Sequence, residues 1–376
     1  MRLVFFGLSL TSSWGNGHAT TYRGLLHGLQ QLGHEIEFFE RDLEWYAAHR
    51  DLPNPPQARL HLYQDWNAIR PQARACAAAA DAVIVGSYFP DATAALDDLI
   101  ACRPARLAFY DIDTPITLDR LKRSDCNYLR ADQIPRLDLY LSFTGGPVLD
   151  ELHESWGARC VRPLYCACDE GHYRPTRQSG SPAAPPPVAL SFLGTYAPDR
   201  EQKFNHLLLE PARRLPGMRF EVAGSMYPRR EVWPSNVGYT FHLDPSQHPS
   251  FYASSRFTLN LTRQAMVQAG YSPSIRLFEA AACGTAIISD PWPGLEAFFS
   301  PGRDILIAPD TATLVDILHG TSPEKAAAIG TAARARVSQH HTCRQRAAEL
   351  LSYIEESASS PLAPVHSTPI PIETGS

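Results

Sequence analysis

The chain opens on an apolar run, "RLVFFGLSL", that gives way to a glycine-bearing loop and then to "TTYRGLLHGLQQL", where Leu25, Leu29 and Leu32 recur at helical spacing before Gly33 and a second apolar run, "EIEFF". Unbroken apolar runs predict strands buried on both faces, and the leucine spacing predicts an amphipathic helix between them, so this stretch reads as a β-loop-α-β unit. Further apolar runs at "DAVIVGS", "RLAFYDID" and "LDLYLSF" alternate with helix-compatible stretches, the pattern of a parallel sheet covered on both faces. The pattern stops at Pro175, where "TRQSGSPAAPPP" can pack as neither helix nor strand interior. This predicts a first domain over 1–174 and an exposed linker over 175–187. The alternation then restarts with "VALSFLGTY" (strand), "KFNHLLLEPARRL" (helix), "RFEVAG" and "RFTLNLT" (strands), "SPSIRLFEAAACG" (helix) and "TAIISD" (strand), a second α/β domain over 188–356. From Pro323 to Glu356 the spacing predicts helix, and 357–376, rich in Ser and Pro, is expected to be disordered.

Composition narrows the class. With 376 residues, 44% of them hydrophobic and 19% charged, the chain buries a large core divided over two domains. A formal net charge of −5 and a pI near 6.3 argue against a nucleic-acid surface, which needs a concentrated positive field. No segment reaches the roughly 18 apolar residues that would predict a membrane span. The opening run lacks a small-residue cleavage site and reads as a first strand rather than a leader. Eight scattered cysteines, the closest pair being Cys166 and Cys168, form no C-x-x-C knuckle and are read as reduced thiols of a cytoplasmic protein. His340 and His341 are adjacent and point apart on a helix, so no metal-ligand set is expected.

The helix "SPSIRLFEAAACG" raises a physical question. Ser272 suits an N-cap, Pro273 the first helical position and Gly284 the left-handed end. Between them only Arg276 and Glu279 are charged, and a spacing of three puts both on one face of a helix that is otherwise apolar. Buried charges need partners. Either the two pair with each other or with residues outside the helix, or their face looks into a ligand cleft. In the second case the helix N-terminus, with Ser272 and Ser274 beside it, would hold a phosphate, and Glu279 further along would suit a ribose diol.

Three other places carry candidate chemistry. In "WGNGHATTYRG", Gly15 and Gly17 let backbone amides approach a ligand, but Thr20 stands where a dinucleotide fingerprint has its third glycine; the other reading is a tight turn with a solvated histidine. Asp111 and Asp113 close the run "RLAFYDID", and residues two apart in an extended chain share a face, so both are expected at the sheet edge where a carboxylate serves as general base; the other reading is a turn cap. Gly194 and Thr195 follow the first strand of the second domain, with Arg200 and Lys203 in the next helix, and Arg263 follows another strand. Basic residues at a helix start oppose its dipole, which points to a diphosphate close by; the other, simpler reading is a solvated helix end.

The stretch "LFEAAACGTAIISD" resembles the nucleotide-sugar site of GT-B glycosyltransferases. Together, "TLNLTR", "SPSIRLFEAAACG", "GLEAFFSPGRDILIA" and "HTCRQRAAELL" resemble the CgeB-like, spore-maturation-protein-like glycosyltransferases, over most of 188–353. In the first half, "FYDIDTP", "LDLYLSFTGG" and "RPLYCACDEGHYRP" fall in the order that family uses. The resemblance implies two Rossmann-like domains facing across a cleft, with a C-terminal helix returning to the first domain. It also implies transfer of a sugar from a nucleotide-sugar to an acceptor hydroxyl, with Glu279 on the ribose. In that arrangement the loop of Gly15, Asn16 and Gly17 faces the cleft, with Asn16 or His18 at the sugar or acceptor. Tyr271 stands where many retaining members carry an earlier glutamate, so no sugar contact is carried over to it and the stereochemical course stays open. No cofactor or metal is expected. Two alternatives are a dinucleotide-dependent oxidoreductase, with Glu40 taking the ribose, and a nucleotide- or sugar-binding protein without turnover.

Overall fold

The computed structural model describes residues 1–166, 168–176, 188–228 and 230–359. Of the expected linker (175–187) and tail (357–376), residues 177–187 and 360–376 lie outside the described residues. Two parallel sheets organise the chain. The first contains β1 (Arg2–Phe6), β2 (Glu35–Arg41), β3 (Arg59–Tyr63), β4 (Ala82–Gly86), β5 (Leu107–Asp111), β6 (Leu139–Ser142) and β7 (Val161–Pro163), in the order β3-β2-β1-β4-β5-β6-β7. The second contains β8 (Val188–Leu193), β9 (Phe220–Ala223), β10 (Val237–Thr240), β11 (Ser255–Asn260), β12 (Ala286–Ser289) and β13 (Leu306–Ile307), in the order β10-β9-β8-β11-β12-β13.

The apolar runs form strands because both of their faces are covered. Along β1, Leu3 and Phe5 enter one core while Val4 and Phe6 enter another, and β4 divides in the same way between Ala82 and Ile84 on one side and Val83 and Val85 on the other. In each sheet the chain reverses its direction of travel beside the first strand, between β1 and β4 and between β8 and β11. Loops leaving the carboxyl ends of such strands part there and open a crevice.

The helix Pro323–His340 ends at His341, and a separate helix, Cys343–Ser359, follows in place of the single one expected; it also runs beyond Glu356, into the stretch expected as tail. This last helix returns to the first domain. Its Leu350 and Ile354 share a core with Leu25 and Leu29 of the helix His18–Gln31. The approach is close enough to require glycine: a Cβ on Gly28 would sit 2.1 Å from the Cys343 carbonyl oxygen. Where the chain crosses between domains, the Cys343 N–H donates to the Cys168 carbonyl at 2.8 Å and the Cys168 N–H to the His341 carbonyl at 3.3 Å.

The helix that carries Arg276 and Glu279 spans Ile275–Ala282, with Ser274 and not Ser272 as N-cap. Ser272 is buried, and its hydroxyl lies 2.9 Å from that of Thr144 in the first domain. Tyr271, before it, adopts φ 47°, donates its N–H to the Pro293 carbonyl and accepts from the Gly145 N–H. The segment expected to begin the helix is thus an interdomain contact, and its hydrogen bonds there outcompete helical ones.

Candidate active site

A cavity of about 290 Å³ lies between the loops at the carboxyl ends of the two sheets. The first domain lines it with Gly15, Asn16 and Gly17 from the loop after β1, and the second with Gly194, Thr195 and Arg200 after β8, Ser225 after β9, His242 and His248, and Arg276 and Glu279.

Arg276 and Glu279 are 7% and 4% exposed, and they do not pair with each other. Arg276 donates through Nε to the Leu193 carbonyl and through Nη1 to Asn260 Oδ1 at 3.1 Å, with its guanidinium 4.7 Å over the Phe192 ring. These are neutral partners. The ion pairs formed among the described residues give Arg276 no carboxylate, so its charge is hydrogen-bonded but not neutralised. Gly194 leaves room for it: a Cβ there would lie 2.5 Å from Arg276 Nη2 and push the guanidinium aside. Ser274 donates to the same Asn260 Oδ1 at 2.7 Å and so holds the amide that holds the arginine. Arg200, also lining the cavity, donates to the Thr195 carbonyl at 2.5 Å. Burial, reinforced by the nearby positive charge of Arg276, pushes its guanidinium down to about 10. Two cations placed together without a counter-ion make a site for an anion.

One turn along the helix, Glu279 accepts from the Tyr252 hydroxyl at 3.1 Å and lies 4.0 Å from His248 Nδ1. Burial holds His248 below the usual imidazole range, so at neutral pH it is an uncharged neighbour. Much of the acceptor capacity of Glu279 is therefore left for a ligand. The anion site and the carboxylate stand on one helix face, the arrangement a nucleoside diphosphate needs.

Other residues read from the sequence are placed elsewhere. Arg263 is partly exposed and pairs with Asp199 at 3.1 Å, and it does not line the cavity. Lys203 is held by Asp290 at 2.6 Å and by the Thr262 carbonyl at 3.1 Å. Asn16 is spent on its own loop, accepting from the Ala19 N–H at 3.1 Å and donating to the Ser12 and Trp14 carbonyls, although its surface still borders the cavity. Gly15 adopts φ 65°, which lets this loop turn back.

Asp111 and Asp113 part company. Asp111 ends β5 fully buried and accepts from the Tyr140 hydroxyl at 2.6 Å and the Thr117 hydroxyl at 2.7 Å. Burial pushes its carboxyl up to about 6, partly opposed by those two bonds. It faces the interior and not the cleft. Asp113 lies beyond the strand, where the two-residue alternation no longer applies, and its Oδ2 stands 3.8 Å from Nε2 of His18. Burial works to raise its carboxyl, but His18, with the charges of Arg263 and Arg120, outweighs that and holds it below the usual range. His18 is 7% exposed, lies edge-on to Tyr88 and has a buried Nδ1 with no partner among the described residues. Glu40, the residue an oxidoreductase would place on a ribose, is fully buried and accepts from Ser9, from the Leu10 N–H and from both the N–H and hydroxyl of Thr11. It shapes the loop after β1 and has nothing left for a ligand.

The sequence gives no sign of Tyr252, His248 or His242, which enter through the loop after the unforeseen strand β10 and the helix that follows. Nor did spacing along the chain reveal two groups of metal-ligating side chains that the fold assembles, His27 with Asp169 and Cys343, and Glu37 with His61 and Cys76.

Comparison with known proteins agrees with this geometry. Residues 200–352, which carry Arg200, Arg276 and Glu279, match the family described as glycosyl transferase-like. No curated protein matches the chain in sequence. Among solved structures, a sucrose-phosphate synthase from Thermosynechococcus elongatus superposes with a TM-score of 0.67 at 14% identity, over 96% of this chain and 100% of the other. Anabaena HepE in complex with UDP-glucose gives 0.64 at 12%, over 94% and 99%. An alpha-glucosyltransferase in complex with UDP-glucose and DNA containing an abasic site gives 0.67 at 14%, over 94% and 99%. The fold is GT-B over nearly the whole chain, and its second domain is glycosyl transferase-like. The glycosyl transferase-like domain, within this fold, supports a transferase enzyme.

Proposed function

We propose that the protein transfers a glycosyl group from a nucleotide-sugar of the UDP-glucose kind to an acceptor hydroxyl, along the lines of the CgeB-like enzymes its motifs resemble. The observation that carries this is the uncompensated pair Arg276 and Arg200 in one cavity with Glu279 on the same helix as Arg276. The donor diphosphate lies at the helix N-terminus against the two arginines, whose fixed charge stabilises the leaving group without a metal or cofactor. Glu279 takes the ribose hydroxyls. On the acceptor side His18 receives the proton of the attacking hydroxyl, and Asp113 stabilises the resulting imidazolium. Domain closure excludes water, which otherwise competes as acceptor.

Calorimetric titration of UDP and UDP-glucose into the protein and its Glu279→Gln variant tests the reading. A charged hydrogen bond to a ribose is worth about 1.5–3 kcal/mol, so affinity drops roughly 10- to 100-fold while the melting temperature is kept. Unchanged affinity would make Glu279 a structural residue. A protein that binds both ligands yet never consumes UDP-glucose, whatever alcohol or sugar is offered, would instead be a binding protein.

A further inference from the structure

Three stretches far apart in sequence meet where the chain crosses between the domains. They are the first helix at His27, the crossing segment at Asp169 and the start of the last helix at Cys343. Their ligating atoms all lie within 4.8 Å of one another. His27 Nδ1 is 2.8 Å from Asp169 Oδ2, and the Cys343 thiol is aimed at Glu170 Oε2 at 3.7 Å. Each group is also held from behind. Gln31 lies 3.1 Å from His27 Nε2, the Gly171 N–H donates to Asp169 Oδ1 at 3.0 Å, and the Cys343 backbone N–H is tied to the Cys168 carbonyl. An imidazole–carboxylate pair accounts for two of these groups and leaves the Cys343 thiol beside them, with the Glu170 carboxylate next to the thiol.

One nitrogen, one sulfur and one carboxylate oxygen make three of the four donors of a tetrahedral zinc ion, bound at roughly 2.0–2.3 Å, and the exposed Glu170 beside the thiol is placed to swing in as the fourth. The Gly171 N–H behind Asp169 orients that carboxylate, and Gln31 with its amide turned over would accept from the Nε2–H of a metal-bound His27. We propose that His27, Asp169, Cys343 and the exposed Glu170 bind a zinc ion that staples the first helix to both passages of the chain between the domains. None of the four lines the donor cavity, so the staple bears on the hinge and not on the chemistry of transfer. The other group is unsuited to a dication, because its one carboxylate, Glu37, already carries the Arg2 guanidinium.

The test uses the full chain freed of metal with a chelator, with Co²⁺ as probe. The expected result is one cobalt per chain with a near-ultraviolet thiolate-to-cobalt charge-transfer band that Zn²⁺ abolishes. Saturating Zn²⁺ should also raise the melting temperature by about 3 °C or more. His27→Gln and Cys343→Ser should each lose the band, and His61→Gln should keep it. If Cys343→Ser does not fold, the partly exposed His27 and Glu170 decide the matter through His27→Gln and Glu170→Gln. Absence of the band in the unaltered protein overturns the proposal, as does a band that survives His27→Gln or disappears in His61→Gln.

Discussion

The two sides of the cleft solve different problems. On the second domain, Arg276 and Glu279 are held by hydrogen bonds to Leu193, Asn260 and Tyr252, and Arg276 has no carboxylate partner among the described residues. On the first domain, His18 and Asp113 stand 3.8 Å apart, too far for a hydrogen bond, and the buried Nδ1 of the histidine has no partner among the described residues. In the proposed reading one side is a socket already held in place by its own hydrogen bonds, and the other a pair that would tighten once an acceptor is bound, as catalytic hydrogen bonds often do.

The contrast is sharpest for His18→Ala. If His18 receives the acceptor proton, transfer falls by about 10²–10⁴-fold while UDP affinity stays within a few fold, because the donor socket is untouched. Steady-state rates alongside titration of UDP measure both. A loss of only a few fold in rate would make His18 a packing residue against Tyr88.

Arg276→Gln reverses the pattern. The amide can still meet Asn260, but the charge facing the diphosphate is gone, and nucleotide affinity falls by roughly 10- to 100-fold with a proportional loss of kcat/KM. Equal weakening of uridine and UDP would break the reading, since uridine carries no phosphate.

How much of this was legible follows the same line between centre and edge. The strands read from the sequence, β1, β2, β4, β5 and β6 in one sheet and β8, β9, β11 and β12 in the other, are inner or well-covered ones whose apolar runs are continuous. The strands not read, β3, β7, β10 and β13, are the four sheet edges, exposed or half-exposed over most of their residues, where the hydrophobic pattern thins out. The donor helix was legible because two charges in an apolar run are conspicuous. Its true start was not, because Ser272 bonds to Thr144, a residue distant in sequence. The aspartates misled for a local reason: alternation holds within a strand, β5 ends at Asp111, and Asp113 follows the turn toward His18.

The smallest expected effect tests that last separation, between a buried structural aspartate and one that serves the cleft. Asp111 has a carboxyl pushed from the ordinary 3.8 up to about 6 by burial. The folded protein therefore holds this proton more tightly than the unfolded chain, and the contribution of the group to stability is fully present below about pH 4 and declines as pH rises toward 6. The shift corresponds to a loss on the order of 2–3 kcal/mol across that window. Asp111→Asn keeps an acceptor for Thr117 and can donate to the Tyr140 oxygen, but it has no charge to bury. Its stability relative to the unaltered protein should climb by up to that amount between pH 4 and pH 6 and level off above, read from urea unfolding at each pH. Transfer at neutral pH should change little, because Asp111 does not face the cleft. A stability difference independent of pH would remove the buried-acid assignment, and a large loss of transfer in a folded Asp111→Asn protein would return this residue to the catalytic side of the molecule.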